Sequence, residues 1–156
     1  MTIWMKRIAL TATAVAVAGL LGVSMTQAQG NAIEQRRALM ASNGDAMKAM
    51  KAVVDAKGDA KAMAPHAGTV AKNLTEAAKH FPAGSDKPVG KDKGQTQASP
   101  DIWKSMAEFA ALDKAAADAA LKVQASASKG DIAAASADFG DLGKSCGACH
   151  NKFRLK

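Results

Sequence analysis

Two thiols and an imidazole stand together near the C-terminus, as Cys146-Gly147-Ala148-Cys149-His150. Residues of these types act as metal ligands, as nucleophiles or as redox groups, and the CxxCH spacing narrows the choice. Two thiols three positions apart can add to the two vinyl groups of one porphyrin, and the next residue then aims an imidazole at the iron. Small Gly147 and Ala148 let a macrocycle approach the backbone, and His150 becomes the proximal axial ligand. A thioredoxin-like dithiol needs a βαβ setting. A zinc site needs a fourth ligand, and His66 and His80, the remaining histidines, lack ligand spacing. A disulfide between residues three apart on a helix is strained. The pentad therefore predicts one covalent haem c.

The N-terminus predicts where such chemistry takes place. Lys6 and Arg7 precede an apolar run from Ile8 to Val23, and the polar exit Ser24-Met25-Thr26-Gln27-Ala28-Gln29 places small residues at Thr26 and Ala28. This is the pattern of a secretory signal peptide cleaved after Ala28; the alternative, a membrane anchor, has an apolar run only marginally long enough to span. Removing residues 1–28 of 156 leaves 128, residues 29–156, the size of one domain with a single core. The expected location is the periplasm, and the mature chain is not expected to be an integral membrane protein.

The whole chain carries 21 basic and 14 acidic residues, a formal +7; without Lys6 and Arg7 the basic count is 19 and the charge +5. Two haem propionates lower it further. Basic residues are spread singly, without interleaved aromatics, which argues against nucleic acid and leaves a mildly basic face for an acidic redox partner.

The chain is rich in Ala, Lys, Asp and Met and poor in β-branched runs, so the elements that must position the pentad are helices. The first, about Ala32 to Ala56, sets Ile33, Met40, Met47 and Val54 seven apart, widened by Leu39, Ala46, Met50 and Val53. It is expected to stop near Gly58. The second runs from Asp59 to His80, with Pro65 either opening or kinking it. Residues 82–100 are polar and turn-rich and read as a long surface loop, its lysines serving solubility, that crosses an end of the molecule or carries a short ordered turn. Ser99-Pro100-Asp101 starts a third helix to Ser128, with Ile102, Met106, Phe109, Ala110, Ala116, Ala117, Ala120 and Val123 toward the core and Trp103 packing at its start. In the fourth, Ile132, Ala135, Phe139, Leu142, Cys146, Cys149 and Phe153 alternate steps of three and four, which sets both cysteines on the buried stripe. Four such segments predict an all-α, antiparallel, up-down-up-down four-helix bundle.

In these features the chain resembles the class II cytochromes c, that is, cytochrome c prime and its low-spin relatives, in which CxxCH lies in the last helix. The resemblance rests on Arg36-Arg37-Ala38-Leu39-Met40, Asn43 through Met50, Phe81-Pro82, Pro100-Asp101-Ile102-Trp103 and Cys146 through Arg154. It implies that Arg154 lies beside His150, that Arg36 approaches a haem propionate, with Arg37 able to exchange roles with it, and that Met40 faces the vacant side of the iron. In typical cytochrome c prime that position does not ligate and the iron is five-coordinate; in low-spin relatives a methionine completes six-coordination.

Two readings follow. The main expectation is a periplasmic electron carrier whose iron is ligated by His150 and Met40. The alternative is a five-coordinate protein that binds nitric oxide or carbon monoxide, with Met40 merely packing nearby. His66 and His80 are expected at the surface, no constellation points to an enzyme, and the family resemblance allows a homodimer.

Overall fold

The structure, a computed structural model, describes residues 15–156, with side chains from residue 29 onward. The expected signal segment and its exit at Ala28 lie outside the fully described residues. Among the described residues five α-helices form the frame: α1 (Val15–Asp55), α2 (Ala64–Ala77), α3 (Asp101–Lys104), α4 (Met106–Ser128) and α5 (Ile132–Phe153). Short 3₁₀ turns at Ala60–Met63 and Ala78–His80 flank α2. No described helix is long and apolar enough to cross a membrane.

Local chemistry sets the ends. α1 closes with Lys57 at φ 49°, while the Gly58 amide donates to Val53 O at 2.9 Å. The left-handed position falls on Lys57, one residue before Gly58, near which the helix was expected to stop. Asp59 accepts from Lys61 N at 2.9 Å, and Pro65 opens α2 in its first turn, which decides the proline's role. Gly130, at φ 76°, turns the chain between α4 and α5, and Asp131 caps α5 by accepting from Ala134 N at 3.0 Å.

The expected third helix is in fact two. Ser105 leaves helical geometry at φ −133°, ψ 43°, separating the single turn of α3 from α4. Met106, expected in the core, is 41% exposed as a result, and Ala110 is also exposed. The main core lies among α1, α2, α4 and α5, around Met50, Met63, Val70, Val123 and Leu142. A second cluster joins Ile102, Phe109 and Phe153, with Phe81 edge-on to Phe109 at 4.7 Å and Phe109 edge-on to Phe153 at 5.5 Å. Trp103 borders it and donates to Phe81 O at 3.1 Å.

Residues 82–100 do more than cross solvent. Ser85, Thr96 and Ser99 are buried, Thr96 N donates to Pro88 O and Gly90 N to Thr96 O, and Ala98 pairs with Arg154. The guanidinium of Arg36 holds the hydroxyls of Ser85 and Thr96, while that of Ser99 donates to Asp101 Oδ2 and accepts from Asp101 N. α1 packs on α2, α2 on α4, and α4 on α5, whereas α5 barely meets α1. Three sides of the bundle are closed by helix packing, and the side between α1 and α5 is not.

Candidate haem site

α5 presents the cysteines toward both apolar clusters. Cys146 packs against the main core and Cys149 against the aromatic cluster, and both thiols are free and half-buried. Burial raises the pKa of Cys146, and burial, then the charge of Asp113, then Cys146, push Cys149 up to about 11. These thiols are protonated at neutral pH, the opposite of the activated thiolate of a redox dithiol. Among the described residues no three His, Cys, Asp or Glu side chains are grouped to hold a metal ion. A Cβ built on Gly147, between the cysteines, would meet nothing within 4 Å. An uncrowded helix face, two unpaired thiols and an adjacent imidazole fit the demands of a porphyrin bound by two thioethers.

His150 is exposed near the end of α5, and its pKa is lowered by partial desolvation and then by the positive charge of Arg154. The direction of the shift favours the neutral, ligating imidazole. Arg154 is exposed, donates to Gln97 Oε1 at 3.1 Å, and acts electrostatically on His150.

Met40 lies half-buried on α1 and borders the same core cluster as Cys146. Its sulfur accepts from Asn43 Nδ2 at 3.9 Å. Sequence reasoning used Asn43 only for the family resemblance and gave it no role, although it stands seven after Arg36 and seven before Met50, in the second core row of the α1 heptad; a polar residue there was the available signal. It also passed over Asn73 on α2 and over Asp113, whose carboxyl burial raises to about 6.

Arg36 is only 3% exposed and is no solvated helix residue. Its guanidinium donates to His80 O at 3.0 Å, Ser85 Oγ at 2.7 Å, Ser85 O and Thr96 Oγ1 at 2.8 Å, and lies 4.7 Å over the Phe81 ring. Burial lowers its pKa to about 10, against the opposing pull of Asp86. Arg37 donates to the carbonyls of Lys91 at 2.6 Å, Gln95 at 2.7 Å and Asp92. Both arginines thus fasten the 82–100 segment to α1. His66 is half-buried on α2; His80 Nε2 lies 3.4 Å from Glu76 Oε1.

A model of the family described as Cytochrome C' matches residues 31–154. The cytochrome c' of Rhodopseudomonas palustris is 33% identical over 144 residues, spanning 90% of this chain and 94% of that protein. Among solved structures, cytochrome c' from Thermochromatium tepidum superposes with a TM-score of 0.76 at 28% identity, covering 82% of this chain and 97% of the other. The nitric oxide complex of a variant of cytochrome c prime from Alcaligenes xylosoxidans superposes with a TM-score of 0.71 at 27% identity, with coverages of 82% and 97%. With the bundle, the C-terminal thiol pair and these matches in agreement, the chain belongs to the cytochrome c' family, whose cofactor is one covalent haem c.

Proposed function

We propose that this chain is an exported haem protein whose iron, held by His150, keeps its other face open to nitric oxide or carbon monoxide. Haem supplies a one-electron couple and an axial site for small neutral ligands. The chain supplies the rest. Cys146 and Cys149 would hold the macrocycle through two thioethers, His150 would bind the iron as neutral imidazole, and the positive charge of Arg154 disfavours its protonation. Phe81, Phe109 and Phe153, in the cluster that Cys149 touches, provide an apolar wall that lowers the local dielectric. The observation that carries the open-site reading is similarity over residues 31–154 to cytochrome c' proteins, a variant of one of which is solved with nitric oxide.

The second reading, a six-coordinate electron carrier, is favoured by the thioether of Met40 on the same core cluster as Cys146. Optical spectra of the oxidised and reduced protein, with and without carbon monoxide, separate the two. A high-spin spectrum and prompt carbon monoxide binding are expected. A low-spin spectrum in both oxidation states, converted to high-spin by Met40→Ala, would establish the carrier instead. Periplasmic export belongs to the same proposal, and mass spectrometry of exported protein should find Gln29 at the mature N-terminus.

A further inference from the structure

Within the buried row of α1, Asn43 is a side-chain amide that must find partners, and α2 provides one. Asn73, 9% exposed, donates through Nδ2 to Ser42 Oγ at 3.1 Å and to Asn43 Oδ1 at 3.0 Å. An amide has one oxygen end and one nitrogen end. With Oδ1 of Asn43 engaged by Asn73, its Nδ2 end is directed along α1 to Met40 Sδ, 3.9 Å away. A methionine side chain has three rotatable bonds and little shape preference of its own, so even a weak polar contact can choose where its sulfur rests. Reaching an iron held by His150 on α5 would require the sulfur to give up this contact and turn toward α5.

We propose that Asn43, locked in orientation by Asn73, is a positioning residue that tethers the Met40 thioether to α1 and keeps it off the haem iron. The inference rests on the open-site reading above. It makes the coordination number a property of three side chains, Met40, Asn43 and Asn73, and explains how a chain with methionine at this place remains five-coordinate.

The test uses the intact haem protein, with carbon monoxide as the probe. In Asn43→Leu the tether is removed while Asn73 keeps its bond to Ser42. A low-spin component should appear in the optical spectrum, and carbon monoxide association with the reduced protein should slow about tenfold, because the thioether must first leave. Adding Met40→Leu to Asn43→Leu should restore the high-spin spectrum and the fast rate. Asn73→Ala, which unlocks the amide without removing it, should give a smaller low-spin component; it serves alone should Asn43→Leu not fold. Single variants that stay high-spin, or a low-spin component that survives Met40→Leu, would overturn the proposal. A wild-type spectrum that is low-spin before any substitution instead defeats the open-site reading itself, so the two failures are distinguishable.

Discussion

Asp113 on α4 stands in the wrong electrostatic setting for a carboxylate. Burial lifts its pKa to about 6 from an ordinary 3.8, and its charge is felt by Cys149. Because the folded state holds this proton more tightly than the unfolded chain, the folded state binds more protons between these two values, and stability falls as pH rises through that window. Above it the penalty is fully present. The carboxyl is only half-buried, so after allowance for solvent screening the penalty is about 1 kcal/mol. Asp113→Asn should therefore stabilise the haem protein by about that amount near pH 7 and by almost nothing near pH 4, as read from guanidinium unfolding at both pH values. An equal gain at both would mean that desolvation of the charge is not its cause. The polar residues in the buried row of α1 differ from Asp113, because each has partners that offset burial. Arg36 has four acceptors and an aromatic face, and Asn43 has Asn73 and Met40.

Those partners make the segment between α2 and α3 an element in its own right, hung from α1 by two adjacent arginines. Arg36 serves buried hydroxyls and Arg37 serves more exposed carbonyls, so their removal should differ in kind. Arg36→Ala strands Ser85 Oγ in the interior, leaves Thr96 Oγ1 with the Ala98 amide alone, and should cost about 3 kcal/mol of global stability, whereas Arg37→Ala should cost under about 1 kcal/mol. Both should speed hydrogen exchange at the amides of Gly90 and Thr96, which close the segment internally. Equal losses of global stability in the two variants would refute the division of labour. The sequence made the long amphipathic elements legible, because Ile33, Met40 and Met47 or Phe139, Leu142 and Cys146 declare a face within a few residues. It concealed this segment, since the buried hydroxyls of Ser85 and Thr96 answer to Arg36, which lies 49 and 60 positions away, and no local pattern encodes that. It concealed the break at Ser105 as well, since neither proline nor glycine marks it. The polar rank of Asn43 and Asn73 was visible, but only the fold pairs them.

At the scale of the molecule, the bundle is closed on three sides by helix packing and on the fourth, between α1 and α5, by little contact of its own. The side chains proposed to address haem come from the helices flanking that side: Met40 from α1, and Cys146, Cys149 and His150 from α5. A cofactor tied to α5 and packed toward α1 would complete the ring, so it should contribute to stability as well as to chemistry, as does any group bound only by the folded state. The double variant Cys146→Ala with Cys149→Ala removes both thioethers while leaving His150 in place. The wild-type polypeptide should keep its haem absorbance through acidic organic extraction and denaturing electrophoresis, and the double variant should lose it. Once freed of haem, the variant should also melt lower, on the order of 10 °C, with α5 showing the greatest rise in hydrogen exchange. If extraction strips the pigment from the wild-type chain, covalent attachment at these cysteines is wrong. If the variant loses haem yet melts as the wild type does, the helices close the fourth side unaided, and haem is a guest of the bundle rather than part of its frame.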